Sequence, residues 1–492
     1  MRVLFPFKNT GDFGVEMLSA CLKRAGHETG LIFDPGGADY IIALPFLKLK
    51  NVEELMVEKA RRFQPDLVCF STLTNLYPWV LNLATVLKRE LNNVPVIAGG
   101  IHATALPERF LEHPAIDMLC IGEGEEALLE LLAEMQAGKL SYAIRNLWCK
   151  KPDGSIVRNP VRPPIHDLDT LPFADKALFA PYGVTTHRLY AMTGRGCPFS
   201  CTYCCNQVYL NMYRDLGKFC RQKSPEYAIR EIEFHLKQFP KVTEIYFYDE
   251  IFTLNKEFLR EFCAKYKERV KVSFRFFVRP GFADREMLEL LRDAGGRHVT
   301  MGVECGNERI LQQVLKRNIT KQDIIDTARM VREAGLTLTT LNILGFPGET
   351  PENMWETVEL NRALKPDGAC VGALFPYPGT AITASLIADG LLDADRMHDV
   401  WKTGRNSYQD TVLKHPHEDA INHTKRFFSL LVCLTPRWLD PLMKKLPPWG
   451  VFGLLNIFFM GTFSHFYYKA SDLFHMIRAT KKHLGQFRPG RG

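Results

Sequence analysis

Three cysteines within one short stretch, Cys197-Pro-Phe-Ser-Cys201-Thr-Tyr203-Cys204, carry the most demanding chemistry in this chain. A four-iron cube is normally held by four thiolates. Three at this spacing, in a glycine-rich loop after an extended run, can hold three irons and leave the fourth open to a substrate or cosubstrate. Paired cysteines also read as zinc ligands, but zinc needs a second ligand pair and none stands at knuckle spacing. Cys205 follows directly. Adjacent thiolates cannot easily serve two corners of one cube, so it reads as a packing residue beside the cluster.

The elements around this loop alternate between apolar β-rich runs and helix-period segments, the pattern of βα units on a parallel sheet. Strands are expected at 188–192, 244–248, 272–278, 298–303, 336–344 and 369–375. Ser224-Pro225 and Thr350-Pro351 each pair an N-cap with proline at the first helical position. Thr320 with Asp323 forms a capping box, and Gly335 suits the left-handed stop of the same helix. Chemistry in such folds gathers where the strands end. There the chain places Tyr248-Asp249-Glu250, Gly302-Val-Glu304-Cys-Gly306, Gly345-Phe-Pro-Gly348-Glu-Thr350 and Pro376-Tyr-Pro-Gly-Thr380. Each alone would be a turn; four in register after four strands predict a site.

Ahead of the cysteines, residues 1–135 read as a separate doubly wound α/β unit with strands at 2–6, 67–71, 94–98 and 118–121. Three strand ends carry small residues: Ser71-Thr-Leu73, Gly99-Gly100-Ile-His102 and Gly122-Glu-Gly124-Glu125. Ligands of open α/β sheets bind at that edge, and glycine lets a backbone approach a bulky cofactor. A dinucleotide fold is disfavoured, because no G-x-G-x-x-G joins the first strand to the first helix.

The C-x3-C-x2-C spacing, with the aromatic Tyr203 just before the last cysteine, resembles the signature of the radical S-adenosylmethionine (SAM) superfamily. The resemblance implies that the amino and carboxylate groups of SAM chelate the open iron, and that an electron from the cluster yields a 5′-deoxyadenosyl radical. It places Asp249 and Glu250 near the amino group, where carboxylates accept charge-assisted bonds, and Glu304 near the ribose hydroxyls. Arg279 is a partner for the SAM carboxylate or a surface cation before Pro280.

The N-terminal unit resembles the cobalamin-binding domain of one branch of that family, whose S-x-L and Gly-Gly elements receive the nucleotide tail of the cofactor. Here those are Ser71, Leu73, Gly99 and Gly100, with Gly122 and Gly124 at the third strand end. One departure matters: the first loop, Lys8-Asn-Thr-Gly-Asp12-Phe-Gly14, lacks the histidine of D-x-H-x-x-G, so no histidine cobalt ligand is expected from it. His102 is a substitute ligand or a locally bonded side chain.

The fold class is therefore α/β, with a Rossmann-like cobalamin-binding domain at 1–135 and a connecting segment at 136–186. A partial (β/α)6 radical SAM barrel follows at 187–380 and a mainly helical region at 381–492. The cofactors implied are a [4Fe-4S] cluster, SAM and cobalamin. The implied reaction is methylation of an unactivated carbon of a hydrophobic or lipid-like small molecule, by way of methylcobalamin. Cobalamin-dependent cyclisation, oxidation or rearrangement is the alternative, and a non-catalytic cobalamin sensor a remoter one. An electron donor such as flavodoxin or ferredoxin would be needed.

At 492 residues, about three units are expected from ~150 residues per domain. The 13 cysteines, spread along a chain without an evident secretory leader, favour a reducing cytoplasm. A net charge of +7 is modest at this length, and no nucleic-acid signature accompanies it, so nucleic acid is not an expected partner. The apolar stretch 449–463 falls short of the ~20 residues of a membrane span. Flanking Lys444, Lys445, Lys469, Arg478, Lys481 and Lys482 beside aromatics point to a peripheral membrane contact or a cap over the barrel.

Overall fold

Two open sheets carry the architecture. The computed structural model describes residues 1–9, 11–36, 52–185, 187–394 and 397–446, so the stretch 449–463 lies outside the described residues.

The first sheet contains the parallel strands β1 (Arg2–Lys8), β2 (Glu28–Asp34), β3 (Leu67–Ser71), β4 (Val96–Gly99) and β5 (Met118–Cys120). Antiparallel β6 (Leu147–Lys150) and β7 (Ile156–Arg158) extend its edge, giving the order β2-β1-β3-β4-β5-β6-β7. Helices cover both faces, so the inner strands are apolar without alternation: Val3, Leu4 and Phe5 are all buried, as are Leu67 to Phe70. The chain reverses direction across the sheet between β1 and β3. In a doubly wound sheet this switch point opens a crevice at the carboxyl ends of the strands.

The second sheet is wholly parallel. Its strands are β8 (Arg188–Ala191), β11 (Glu244–Phe247), β12 (Ser273–Val278), β13 (Gly296–Glu304), β14 (Thr337–Leu344) and β15 (Gly368–Ala373), in the order β15-β14-β13-β12-β11-β8. Strict sequence order with helical crossovers is a barrel arc left open, the expected (β/α)6 arrangement. A two-residue hairpin pairing, β9 (Gly194–Arg195) with β10 (Arg221–Gln222), brackets the cysteine loop. Phe247, Phe252, Phe262 and Phe274 stack and cross edge to face beneath the arc. Fully burying each such ring contributes roughly 1.5–3 kcal/mol.

The helix starts behave as their sequences require. Ser224 accepts from the Tyr227 amide, and Thr320 and Asp323 form the reciprocal box. Thr350 does the same with Asn353. Gly335 takes a left-handed φ of 74°. After β15 the described chain is helical, at Ala381–Ala388, Met397–Lys402, Glu418–Cys433 and Asp440–Met443. Among the described residues no helix is long and apolar enough to cross a membrane.

The loop after β14 contains a titrating support. Glu349 is fully buried and accepts from the amides of Gly345 (2.5 Å) and Phe346 (3.1 Å), tying the loop to itself. Burial pushes its carboxyl up to about 7, against those two hydrogen bonds. A raised folded value means that the contribution to stability is complete below the unfolded carboxyl range and is lost as pH rises through about 7. Relative to Glu349→Gln, the native protein is expected to lose on the order of 3 kcal/mol between about pH 4.5 and 7. Paired denaturation curves across that window test this; a native protein that gains on the variant as pH rises contradicts it.

Candidate active site

The cysteine loop leaves β8, passes through β9 and is pinned at three points. The Thr202 amide bonds to the Leu315 carbonyl at 3.2 Å, its hydroxyl to the Val314 carbonyl at 2.7 Å, and the Cys204 amide to the Cys201 carbonyl at 3.1 Å. Cys201 is buried, while Cys197 and Cys204 are half-buried. Among the described residues no three His, Cys, Asp or Glu side chains converge on one ion-sized point, as a zinc tetrahedron would require. A cube makes no such demand, because each sulfur binds a different iron. Burial pushes the Cys197 thiol up to about 12, so a thiolate here would form only where a metal replaced the proton.

Asp249 and Glu250 follow β11 but meet different surroundings. Asp249 is buried and accepts from Thr193: the amide reaches both carboxylate oxygens at 3.0 Å and the hydroxyl reaches Oδ1 at 2.6 Å. Burial raises its carboxyl above the ordinary range and the Thr193 bonds oppose this. Its evident local task is to hold the strand-to-loop turn that starts the cysteine segment. Glu250 instead opens onto a cavity, with Asn206 donating at 3.3 Å.

Glu304 ends β13 at a register shift against β14, with a strained φ of 68°. A non-glycine residue in the left-handed region must be held there. Buried Arg317 does so, donating to Glu304 Oε1 and to the Tyr203 hydroxyl at 2.8 Å each, and to the Gly302 carbonyl at 2.8 Å. Tyr203 and Glu304, distant in sequence, thus share one cation. Arg317 was not legible as a site residue, since nothing around Lys316-Arg317-Asn318 marks it as more than a helix end.

The N-terminal candidates meet at the switch point. A cavity of about 360 Å³ is lined by Ser71, Leu73, Gly99, Gly100, Gly122 and Gly124 on one side. Gly196, Asn206, Tyr209 and Glu250 line the other, so the cavity reaches from the first sheet's edge to the residues that flank the cysteine loop. Asp12 also faces it, capping the helix Phe13–Arg24 and receiving the Ser71 hydroxyl at 3.3 Å. The small residues at three strand ends, bare glycine backbone at two of them, suit a large, flat group, which fits the cobalamin reading. His102 is not brought there. Its Nδ1 lies 3.2 Å from the Thr74 hydroxyl, and its ring packs among Tyr77, Phe110 and Trp401. Burial pushes it down to about 3, as expected of a neutral core histidine.

Gly100 is fixed by backbone rather than by ligand. At φ 87°, an added Cβ would stand 2.7 Å from the Thr72 amide nitrogen. Gly100→Ala is expected to cost at least about 1–2 kcal/mol and to lower cobalamin retention. Thermal unfolding and cobalt content after desalting read both effects; unchanged values would show that the turn tolerates a side chain.

A joint between the two halves was also missed from sequence. Glu123, flanked by Gly122 and Gly124, accepts from Arg195 (2.9 Å), Arg221 (2.7 and 3.1 Å) and the Ile165 amide (2.8 Å). Its own amide donates to the Tyr213 hydroxyl at 3.0 Å, and Arg195 also reaches Glu125 at 2.6 Å. Charges scattered over a hundred residues gave no local pattern.

The Radical SAM superfamily model matches residues 192–360, and the B12 binding domain model residues 8–132. An uncharacterized methyltransferase of Pyrococcus horikoshii is 31% identical over 343 residues, covering 68% of this chain and 72% of that protein. An anaerobic magnesium-protoporphyrin IX monomethyl ester cyclase of Rubrivivax gelatinosus is 26% identical over 391 residues, 77% of this chain and 68% of that protein. The fold is shared with the radical S-adenosylmethionine methyltransferase TsrM of Kitasatospora setae, solved with cobalamin and a [4Fe-4S] cluster bound. That match has a TM-score of 0.62 and 19% identity, covering 79% of this chain and 78% of that one. The chain belongs to the cobalamin-dependent radical SAM family. Its cofactors are accordingly a [4Fe-4S] cluster, SAM and cobalamin.

Proposed function

We propose that the protein methylates an unactivated carbon of a hydrophobic or lipid-like small molecule. The observation that carries this reading is a cavity walled by the first sheet's glycine edge and by Gly196 and Asn206 on either side of the cysteine loop: a substrate held there would stand between both cofactor cradles. The cofactors supply a hydrogen-abstracting radical and a carrier for the methyl group. The chain's own residues bind, orient and exclude water. Cys197, Cys201 and Cys204 would hold the cluster. Tyr203, Glu250 and Glu304 would contact SAM, with Asp249 behind them bracing Thr193. Ser71, Leu73, Gly99, Gly100, Gly122 and Gly124 would receive cobalamin, whose cobalt gains no histidine from the first loop. Phe13, Leu18 and Phe219 give the cavity apolar wall, which suits an apolar substrate.

A flavodoxin- or ferredoxin-type protein supplies the electron in this reading. The enzyme works in the cytoplasm, with a peripheral membrane contact through its C-terminal region. The similarity to a cyclase favours ring closure or oxidation as the second reading. Anaerobic incubation of the reconstituted enzyme with methyl-labelled SAM and candidate apolar substrates separates the two. Methylation gives labelled product with stoichiometric S-adenosylhomocysteine; 5′-deoxyadenosine release without label in any product refutes it and supports the cyclase reading.

A further inference from the structure

Arg279, at the end of β12, is a buried cation outside any close ion pair among the described residues, with Glu304 feeling its charge only at longer range. The residue is 7% exposed, and its guanidinium lies over the Phe199 ring at 4.1 Å and the Phe282 ring at 5.8 Å. It forms no ion pair with any carboxylate among the described residues, and its Nε has no hydrogen-bond partner. Among the described residues, the one hydrogen bond of its side chain runs from Nη1 to Cys201 Sγ at 3.5 Å. Neighbouring Arg317 is a useful contrast, because its charge is matched by Glu304 at 2.8 Å. Burying a guanidinium unpaired is costly, so the site is built for an anion that arrives with the metal. A cluster core of charge two plus on three thiolates carries one net negative charge, and two after reduction.

We propose that Arg279 sets the reduction potential of the cluster by donating an N–H to Cys201 Sγ. Hydrogen bonds to cluster sulfurs and nearby charge are the means by which a protein tunes such potentials. A cation held by two aromatic faces stabilises the reduced form more than the oxidised form, because reduction adds a negative charge beside it. The potential is thereby raised towards the reach of an external donor. The ring contacts also explain why a cation is tolerated there before any cluster is present, since Phe199 and Phe282 offer their negative faces to it. The inference rests on Cys201 being a cluster ligand, and is distinct from a clamp on the SAM carboxylate, which would act only when SAM is bound.

The test is an EPR-monitored redox titration of the reconstituted protein without SAM. Arg279→Gln is expected to shift the midpoint to more negative values with iron content unchanged, and Arg279→Lys to restore part of the shift. An unmoved midpoint in a fully loaded Arg279→Gln protein overturns the proposal, even if turnover falls, since that pattern belongs to a carboxylate clamp. Should Arg279→Gln fail to assemble a cluster, pulsed EPR of the native protein carrying guanidino-15N arginine decides. A weak nitrogen coupling to the reduced cluster is expected, and its absence overturns the assignment. A Cys201→Ala protein that keeps its full cluster would sink the ligand assignment itself, and this inference with it.

Discussion

Cys197→Ala, Cys201→Ala or Cys204→Ala is expected to abolish iron uptake and the broad visible absorption of the cluster. Turnover should fall by at least about three orders of magnitude, roughly 4 kcal/mol of lost barrier lowering. The effect should be chemical rather than structural. The loop is held by Thr202 against Val314 and Leu315 and by the β9–β10 pairing, none of which uses a thiol. The proposed cobalamin cradle sits on the other sheet, and among the described residues Ser71, Gly99 and Gly100 have no bond to the three cysteines. Cys197→Ala and Cys204→Ala should therefore retain the thermal transition of the cluster-free native protein, and all three variants should bind cobalamin while losing iron. Iron and cobalt quantification on one sample decides the matter. Simultaneous loss of both metals would mean that the loop organises the whole fold, and full turnover without the thiols would end the radical SAM reading of this site.

Glu123→Ala is expected to have the second largest effect, through position rather than chemistry. Removing the carboxylate leaves Arg221 with only the Phe219 and Ile165 carbonyls, and Arg195 with only Glu125. Breaking a buried pair from one side costs about 3–5 kcal/mol. Glu123 stands between Gly122 and Gly124 at the proposed cobalamin edge, and Arg195 stands two residues before Cys197. In the proposed reading the carboxylate would therefore fix the spacing of the two cradles across the cavity. A misplacement of about 1 Å costs on the order of a hundredfold in rate. The variant should load iron and cobalamin yet turn over at least about a hundredfold more slowly, and Glu123→Asp should fall between. Burial alone would raise the Glu123 carboxyl, but Arg221 and Arg195 more than offset it and hold it below the ordinary range. A depressed value means the contribution to stability is present above the unfolded carboxyl range and is lost as pH falls through the folded value. The native protein should accordingly lose its advantage over Glu123→Gln in acid. Activity within a few-fold of native, with both cofactors bound, would show that other contacts set the spacing.

Much of the fold was legible because the signals are local. The apolar runs before Ser71, Gly99, Asp249, Glu304 and Gly345 became strands within about two residues of their expected limits, and the caps at Ser224, Thr320 and Thr350 formed as written. The strands that escaped prediction are those with weak local pattern. β2 opens on the polar Glu28-Thr29, while β6, β7, β9 and β10 are two to four residues long and exist through pairing with a neighbour. No periodicity is measurable over so few residues. Hence 147–158, read as connecting chain, supplies two strands to the first sheet's edge.

The candidate site divides along the same line. The cysteine spacing, the acidic pair after β11 and the small residues at three strand ends are properties of consecutive residues, and the chain by itself determined them, together with the cofactors they imply. Only tertiary structure decided that His102 turns into an aromatic cluster, that Asp249 is occupied by Thr193, and that Arg279 points at Cys201 rather than at water. It alone revealed Arg317 between Tyr203 and Glu304, and Glu123 between Arg195 and Arg221. The physical reason is that a buried charge is placed by its partners, and those partners come from strands brought together only when the sheets form.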